Sequence, residues 1–571
     1  LISYLFFLSV CNINANTDKY RIILTENTNN PSTSITIAWN QIDGTAPTVY
    51  YDTVDHGTNH TLYSFSKTVD RSETFKGMEN RFARLTVLLP NTDYYFVIHD
   101  SNSTSQRFWF KTAPSDNSRL SFIAGGDSRN NSVPRKNANL LVSKLKPHAV
   151  LFGGDMTDDN SSSEWQDWFD DWQDTIATDG RMFPILPARG NHETDASTIY
   201  NLFDTNINSY YAITFGANLI RAYTLNSEIS VLGSQLTWLQ NDLTSNSGVI
   251  GKSAQYHKPM RPHYSYKAEN NYLYDAWAQL FYDEGVRLVV DCDSHMAKTT
   301  WPVKPSSETG NDEGFVVEQE NGTVYAGEGC WGAPLRANDD DKTWTRNSGS
   351  FNQFKLIFIE TSKIELRTIK VDNAVSVGEV SNTDPFTLPV NLDVFNPPTG
   401  DVVTISNPID TNSCPPIGVV CDDNDPTTIY DEEDGNCNCI GFNQDIVNLD
   451  THPIGASSDD AEEFVSTGAV SYTSTDLELV QDTDTGTNDQ IIGLRFNNIN
   501  IPKSSTILRA YIQFKTDELN SGTTNLVFHG ELADDSATFT SASSNISSRT
   551  LTSNSVPWDD VKEWDSNGES G

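Results

Sequence analysis

Five short polar motifs, each placed close behind an apolar segment, constrain the fold of this chain more than any other feature. The apolar segments have the length of buried strands, and helical stretches separate them, which is typical of an α/β layer fold. In such folds ligands gather at the carboxyl ends of the strands, where glycine lets the backbone turn tightly. In chain order the motifs are Gly126-Asp127-Ser128-Arg129, Gly153-Gly154-Asp155-Met156-Thr157-Asp158, Gly190-Asn191-His192-Glu193, Gln255-Tyr256-His257 and Asp291-Cys292-Asp293-Ser294-His295.

Because each motif follows a strand and its glycines let the backbone turn tightly, we expect the side chains of the five motifs to point into one pocket. Asp, Asn and His together are ligands suited to two divalent metals. The sequence therefore predicts a dinuclear metal site. The predicted strands are Leu120–Ala124, Ala149–Phe152, Phe183–Leu186 and Arg287–Val290.

One helix is predicted between the second and third motifs. Ser161 and Glu164 form a capping box, and Trp165, Trp168 and Trp172 follow at helical spacing. This aromatic stripe could line a sugar groove, but packing on the sheet is the favoured interpretation.

A β-sandwich is predicted before the α/β region, over residues 17–114. Its segment Leu88-Leu89-Pro90-Asn91-Thr92-Asp93-Tyr94 resembles the L-x-P-x-T-x-Y corner of fibronectin type III domains. The α/β region is assigned to residues 115–373, and the proline-rich residues 374–412 are interpreted as a linker. The last 130 residues, 442–571, return to strand-like alternation and predict a second, truncated β-sandwich.

The cysteines favour an exported protein. Four of the seven lie in residues 413–441 and are consistent with two disulfides, whereas the paired spacing of a zinc site is missing. Cys292 and Cys330 are the other candidate pair. Carboxylates in residues 421–434 could hold calcium, although no complete twelve-residue loop is present. The four clustered cysteines are Cys414, Cys421, Cys437 and Cys439.

The amino-terminal residues and the charge support the same compartment. Residues 1–16 suit the end of a secretory signal cut near Ala15, with a buried first strand as the alternative. The chain has 77 acidic side chains and only 38 basic ones. This excess of negative charge argues against nucleic acid as the main partner, because phosphate backbones are bound by Lys and Arg. No run of 18 apolar residues is present that would span a bilayer. We expect a secreted, cell-surface or periplasmic protein.

Taken together, the motifs resemble those of the calcineurin-like metallophosphoesterases, namely GD, GD-x-x-Y, GNH-[DE], a lone His and GH-x-H. Because a fibronectin-like domain precedes them, the purple acid phosphatases are the most similar group. The resemblance spans residues 20–372. It implies a central domain with α-β-β-α layers and two metal ions, among Fe, Mn and Zn.

The resemblance also implies roles for individual residues. Asp155 would bridge the two metals, and His192 would protonate the leaving oxygen or bind phosphate. Arg129 and His263 belong to a predicted basic patch that would attract an anionic substrate, together with Arg189, Lys258 and Arg261. The predicted catalytic residues are His192, Asp155, Arg129 and His263, and the predicted metal ligands are Asp127, Asp155, Asp158, Asn191, His257, Asp293 and His295.

Three positions depart from the family pattern. Asp158 replaces the Tyr that colours purple enzymes, so this protein should not be purple. Asp293 replaces the first His of GH-x-H, and an oxygen ligand there favours harder ions over Zn. Cys292 replaces the usual Gly.

The expected function is hydrolysis of small phosphate monoesters by attack of a metal-bound hydroxide. A phosphodiesterase of the same fold is one alternative. Another is a catalytically degenerate protein that contacts polysaccharide or the cell surface through residues 442–571. Hydrolysis of sulfate esters is disfavoured, because the C/S-x-P-x-R context of sulfatases is missing.

Overall fold

The computed structural model describes residues 16–407 without a gap and shorter stretches beyond them. The chain divides into two compact units, Leu1–Asp410 and Thr411–Gly571. The residues described in the second unit are 421, 428–433, 439–443, 454–473, 477, 479, 481–482, 488–499, 510–516, 524–558 and 561.

The first hundred described residues form eight strands in two sheets. One sheet has the order β1-β2-β6-β5 and the other β4-β3-β7-β8. Apolar side chains from both sheets share one core, as a β-sandwich requires. The strands are β1 (Thr17–Ile23), β2 (Ile35–Gln41), β3 (Thr48–Asp52), β4 (Phe65–Thr68), β5 (Arg71–Phe75), β6 (Met78–Leu85), β7 (Asp93–His99) and β8 (Phe108–Lys111).

The corner before β7 has the hydrogen bonds that its sequence pattern predicts. The Leu89 N–H donates to the Tyr94 hydroxyl oxygen at 2.9 Å, and the Thr92 hydroxyl donates to the Pro90 carbonyl at 2.7 Å. Tyr94 thereby ties the turn to the strand that follows it, as the tyrosine corner of sandwich domains does.

The central domain extends one of these sheets and adds a seven-stranded sheet, a two-stranded hairpin and six helical segments. Its predicted strands appear within one or two residues of the expected bounds. The strands are β9 (Leu120–Gly125), β10 (Ala149–Phe152), β11 (Pro184–Pro187), β12 (Tyr211–Phe215), β13 (Ile220–Thr224), β14 (Gly251–Gln255), β15 (Val286–Val290), β16 (Ala297–Thr300), β17 (Val303–Pro305), β18 (Phe315–Val317), β19 (Val324–Gly327), β20 (Thr345–Gly349), β21 (Gln353–Ile359) and β22 (Lys363–Lys370). The helices are α1 (Ser132–Leu145), α2 (Ser162–Trp172), α3 (Ser197–Phe203), α4 (Ser234–Ser245), α5 (Asn271–Leu273) and α6 (Gln279–Asp283), with a π-turn at Tyr274–Ala278 joining the last two.

These elements stack in α-β-β-α order. In β9, Phe122 belongs to the core between the two sheets, while Ile123 belongs to the core beneath α1 and α2. Adjacent residues of a strand point to opposite faces, so β9 carries apolar side chains on both. Beneath α4 and α6 lies a third core that contains Leu239, Phe281 and Val289. The predicted layer order is therefore confirmed.

The sandwich and the central domain share one sheet. Strand β1 pairs in parallel with β11, which places Ile22 opposite Pro184 and Ile23 opposite Ile185. Ten strands result, in the order β23-β22-β21-β9-β10-β11-β1-β2-β6-β5, while the facing sheet has the order β12-β13-β14-β15-β19-β16-β20. The predicted boundary at residue 114 therefore does not separate two independent sheets.

Helix α2 begins as its capping box predicts. The Ser161 side chain accepts a hydrogen bond from the Glu164 N–H at 3.3 Å. Trp165, Trp168 and Trp172 are buried in the core beneath the helices. The aromatic stripe is therefore a packing face, and the sugar-groove alternative is wrong for these residues.

The linker prediction for residues 374–412 is corrected over its described part, 374–407. Val377 and Val380 are buried in the core beneath α1. The Lys144 ammonium donates to the carbonyls of Ala374 and Val377, both at 2.7 Å. Strand β23 (Val402–Ser406) then pairs with β22. The prolines in this segment interrupt helices and strands without preventing the chain from packing.

The second unit contains strands in its described part, as expected for a β-rich region. A disulfide joins Cys421 to Cys439, while Cys414 and Cys437 lie outside the described residues. Half of the proposed calcium-binding segment, 421–434, lies outside them as well, namely residues 422–427 and 434. The strands are β24 (Thr428–Glu433), β25 (Cys439–Asn443), β26 (Asp460–Phe464), β27 (Val470–Ser471), β28 (Gln481–Asp482), β29 (Asn488–Leu494), β30 (Leu526–Glu531) and β31 (Leu551–Trp558).

Within the part of the chain that the structure describes, no helix is long and apolar enough to cross a membrane. The proposed signal segment, residues 1–15, lies outside that part.

Candidate metal centre

The five motifs follow strands β9, β10, β11, β14 and β15, and their side chains meet where these strands end. Four of the predicted metal ligands adopt the left-handed backbone region, with φ of 58° at Asp127, 51° at Asp155, 74° at Asp293 and 56° at His295. Residues with side chains rarely adopt this region, and such conformations concentrate at functional sites. The backbone therefore holds these carboxylates and imidazoles in place at a conformational cost.

The first donor group consists of Asp127, Asp155 and His295. One ligand atom from each lies within 4.8 Å of the others, and all three side chains are buried. His295 Nδ1 contacts the Pro334 carbonyl at 3.0 Å, and because a carbonyl only accepts, Nδ1 carries the proton and Nε2 presents a lone pair.

Two ligand atoms of this first group have no hydrogen-bond partner in the part of the chain that the structure describes. Asp127 Oδ1 and His295 Nε2 are buried, unpartnered and 3.4 Å apart. Asp127 Oδ2, by contrast, accepts the Asp293 N–H at 2.7 Å. Buried polar atoms are almost always paired, and a bound metal is one of the few reasons for an exception. The first group therefore fits a cation.

The second donor group consists of Asp155, His257 and Asp293. His257 Nε2 lies 3.3 Å from Asp155 Oδ1, 3.7 Å from Asp293 Oδ1 and 3.1 Å from Asn191 Oδ1. Its Nδ1 donates to the Gly153 carbonyl at 2.9 Å. Burial alone would lower the pKa of His257, but Asp155 and Asp127 raise it well above the ordinary value. The pocket therefore has a strongly negative potential, which favours cations.

Glycines leave the space that these carboxylates occupy. A Cβ at Gly329 would lie 1.7 Å from Asp127 Oδ2, and one at Gly190 would lie 2.3 Å from Asp155 Oδ1. Any larger residue at either position would displace a carboxylate of the first group.

The comparison with known proteins agrees with this geometry. Residues 128–296 match the family model of the calcineurin-like phosphoesterases, and residues 21–112 match that of the purple acid phosphatase N-terminal domain. The central domain is a calcineurin-like phosphoesterase domain. Asp127 lies one residue before the matched range, and the other motif residues that form the two donor groups lie within it.

Individual relatives are more distant. Uncharacterized proteins from two strains of Mycobacterium tuberculosis are 26% identical over 188 residues, which covers 29% of this chain and 35% of each relative. The chain thus spans about a third of the length of these relatives. A purple acid phosphatase from seeds of yellow lupin, Lupinus luteus, has a TM-score of 0.54 at 16% identity, over 69% of this chain and 75% of that one. At this identity the likeness shows the fold alone.

Asp158 does not join either donor group of the phosphoesterase domain. Its carboxylate is half-exposed and pairs with Arg129 at 3.2 Å, while Arg129 also contacts Asp155 Oδ2 at 3.3 Å. Where purple enzymes have a coordinating Tyr, this chain therefore has an ion pair at the rim of the centre.

His192 lies on the solvent side of the centre. Its Nδ1 donates to the Asp158 carbonyl, its N–H donates to Asp155 Oδ1 at 2.8 Å, and its Nε2 lies 3.7 Å from Asp155 Oδ2. The side chain is a quarter exposed. The free Nε2 of His192 can therefore exchange a proton with a group that enters from solvent.

His263 does not reach the centre, and its predicted catalytic role is corrected. It is fully buried, with Nε2 at 2.7 Å from the Thr345 hydroxyl and Nδ1 at 3.2 Å from Glu328 Oε1. Both nitrogens are thus occupied. The hydroxyl and the carboxylate lie close enough in the fold to pair with it, which the spacing of His263 along the chain could not reveal.

Three other members of the predicted basic patch are already paired. Arg189 donates to the Glu193 carbonyl at 3.0 Å and Arg261 to the Glu313 carbonyl at 2.6 Å, while Lys258 pairs with Glu228 at 2.7 Å. Each of the three side chains is held by a partner of its own.

The candidate disulfide between Cys292 and Cys330 is absent from the structure. Cys292 and Cys330 are buried free thiols and form no disulfide. Cys292 packs between two glycines, since a Cβ on Gly126 or Gly153 would lie within 2.7 Å of its sulfur. Its sulfur also lies within 4.8 Å of a ligand atom of both Asp127 and His257.

Sequence reasoning missed three residues that surround the donor groups. Glu193 accepts the N–H groups of Asp155 at 2.9 Å, Met156 at 2.8 Å and Gly190 at 2.7 Å. Lys267 contacts Asp293 Oδ1, and Arg336 donates to the Asp293 carbonyl at 2.8 Å. The GNH-[DE] motif contains Glu193 and could have indicated it, whereas no pattern along the chain marks the two cations.

Proposed function

We propose that this protein is a dinuclear phosphoesterase that hydrolyses phosphate monoesters. The observation that carries the proposal is the pair of donor groups that share Asp155, one of which has two buried ligand atoms without a partner. The family match of residues 128–296 supports the same reaction class.

Asp127, Asp155 and His295 would hold one ion, and Asp155, Asn191, His257 and Asp293 would hold the other. Two such cations act as Lewis acids on a phosphoryl group and lower the pKa of water. Three of these six ligands, Asp127, Asp155 and Asp293, are carboxylates, which favours Mn or Fe over softer ions.

The protein's own side chains supply binding and proton transfer. Arg129 is held against Asp155 and Asp158, so its guanidinium lies beside the pocket, where it can also donate a hydrogen bond to a phosphate oxygen. His192 is fixed by its Nδ1 contact to Asp158, which leaves Nε2 to deliver a proton to the leaving alcohol. A phosphodiesterase would use the same residues.

Export from the cell is part of the proposal. The disulfide between Cys421 and Cys439 supports it, because disulfides persist in oxidising compartments. The suggestion that residues 442–571 contact polysaccharide rests on no described ligand group, so it is left to the same test as an alternative to catalysis.

The test uses the full chain, with metal content measured beside hydrolysis of p-nitrophenyl phosphate and bis-p-nitrophenyl phosphate. We expect about two metals per chain and a monoester rate above the diester rate. Asp155→Asn should lose at least about 100-fold in kcat/KM and part of its metal, because Asp155 belongs to both groups.

Asp159→Asn is the matched control, because Asp159 lies in the same loop with its carboxylate on the Ser161 N–H. It should behave like the wild type. A protein that stays metal-free and inactive with Mn, Fe and Zn supplied would overturn the proposal and favour the binding alternative.

A further inference from the structure

Lys267 reaches the metal centre from a loop that contains none of the five motifs. Its ammonium contacts Asp293 Oδ1, and Asp293 belongs to the donor group with Asp155 and His257. The Lys267 side chain is 23% exposed, whereas the His295 and Asp127 side chains of the first group are essentially inaccessible. Lys267 therefore lies on the solvent side of the centre, the side from which a substrate arrives.

The loop that carries Lys267 is closed on itself by hydrogen bonds. The Lys267 N–H donates to the Tyr264 carbonyl at 2.9 Å, and Asn270 bonds to the carbonyls of Met260 at 3.0 Å and Pro259 at 2.7 Å. Ser265 is tied to Asp339 through its N–H at 2.9 Å and its hydroxyl at 3.0 Å. A loop held at both ends presents its cation in a restricted position, which reduces the entropy lost on binding an anion.

Lys267 and Arg129 contact different carboxylates of the second donor group. Arg129 is paired with Asp155 and Lys267 with Asp293, and the two side chains are both partly exposed. A carboxylate that ligates a divalent ion interacts less strongly with a neighbouring ammonium, because the two cations compete for it and repel each other. In the metal-loaded protein each of these side chains therefore has bonding capacity for an incoming anion.

We propose that Lys267 binds the phosphate group of substrate and product, opposite Arg129. The inference rests on the proposed function for its choice of anion. Inorganic phosphate is the product of monoester hydrolysis, and its oxygens accept hydrogen bonds from an ammonium. Lys267 thereby takes part of the role that the sequence assigned to a basic patch of other residues.

The experiment titrates inorganic phosphate into the metal-loaded full chain by calorimetry, with metal content measured for every variant. Lys267→Met removes the charge while keeping the length of the side chain, and Lys267→Arg keeps the charge. Lys304→Met is the matched control, because Lys304 is also paired with one carboxylate, Glu318 Oε2 at 2.8 Å, on the β17–β18 hairpin.

We expect Lys267→Met to weaken phosphate binding about 10- to 100-fold with about two metals retained, as loss of a charge-assisted hydrogen bond predicts. The phosphate dissociation constant of Lys267→Arg should stay within about fivefold of the wild-type value, and that of Lys304→Met should equal the wild-type value. The KM for p-nitrophenyl phosphate should rise in parallel with the dissociation constant of phosphate.

Two results would overturn the inference. Unchanged phosphate binding in Lys267→Met is one, and the other is a loss of binding that the loss of metal fully explains, because Lys267 would then only position Asp293. Failure of the proposed function looks different. If phosphate binding depended on Lys267 in a protein that hydrolyses no ester, the proposed catalytic function would be wrong and the proposed role of Lys267 would be confirmed.

Discussion

The two donor groups of the centre differ in what surrounds their carboxylates. In the first group, Asp127 Oδ1 and His295 Nε2 are buried and have no hydrogen-bond partner among the described residues. Asp155, which contacts Arg129, is common to both groups, but Asp293 of the second group already has the Lys267 ammonium as a partner. Removing a cation from the first group leaves charge uncompensated inside the protein, whereas the second group is partly neutralised by the protein itself. We therefore expect the first group to bind its ion more tightly.

The largest effect on metal binding should come from removing the carboxylate of Asp127, which belongs to the first group alone. Asp127→Asn should lower affinity for the tighter metal by at least about 100-fold, because Asp127 Oδ1 has no other partner to replace the ion. Asp293→Asn should weaken binding of the second ion by only about 10-fold, since His257, Asn191 and Asp155 remain, and should leave the first ion unaffected. Stepwise metal titration followed by mass spectrometry measures both, and equal losses would contradict the comparison.

A substitution beneath both groups should affect both ions together. Glu193→Gln exchanges one acceptor oxygen for an amide that faces the N–H groups of Asp155, Met156 or Gly190. We expect about 10-fold weaker binding of each metal and a destabilisation of about 2 kcal/mol, measured by urea unfolding with and without metal.

Glu164→Gln is the control for that change. Glu164 accepts hydrogen bonds from the N–H groups of Asp158 at 3.0 Å and Asp159 at 2.8 Å, close to the surface. Its substitution should therefore lower the free energy of unfolding by about 0.5–1 kcal/mol and leave metal binding unchanged. If Glu193→Gln weakened the binding of one ion alone, Glu193 would support a single donor group. The two groups would then be less coupled than their shared Asp155 suggests.

A smaller effect is expected from restoring the family residue at the second group. Asp293→His replaces an oxygen ligand by an imidazole and takes the partner of Lys267 away. The preference for Zn over Mn should rise several-fold, because imidazole is the softer ligand. Competition between the two metals at fixed total concentration measures the ratio, and an unchanged ratio would indicate that Asp293 does not ligate.

The smallest effect concerns pH and lies outside both groups. Burial, followed by the charge of Arg181, lowers the pKa of His148 to about 4 from 6.5, and its Nδ1 accepts the Ser121 N–H at 3.1 Å. The unfolded chain therefore binds this proton more readily, so stability is complete above pH 6.5 and falls as the pH drops toward 4.

We expect His148 to contribute on the order of 1–2 kcal/mol to the loss of stability between pH 7.5 and 4.5, since the residue is only partly buried. His148→Asn keeps an acceptor and does not titrate, so urea unfolding at both pH values should show a smaller difference than in the wild type. An identical difference would refute the role of His148. Metal titrations that compare the two donor groups should accordingly be made above pH 6.5.

Local patterns in the sequence predicted much of the fold. The corner at Leu88–Tyr94, the cap of α2 and the strands before the motifs all depend on neighbours a few residues apart, and the structure has them where expected. The motifs also indicated all five members of the two donor groups, because each side chain follows the end of a strand.

The errors concern contacts between distant parts of the chain. Pairing of β1 with β11, packing of residues 374–407 and the partners of His263 each join segments that lie far apart in sequence. The expected Cys292–Cys330 disulfide failed for the same reason, because Cys292 instead fills the space left by two glycines.

The amino-acid sequence by itself determined the class of domain and the residue types of its metal centre, since turn chemistry and strand-end motifs are written in consecutive residues. Only the tertiary structure decided which charges meet. It pairs Lys267 with Asp293, turns Asp158 outward to Arg129 and leaves two ligand atoms of the first group unpartnered. Electrostatic interactions depend on distance in space and on burial, and neither quantity can be read from position along the chain.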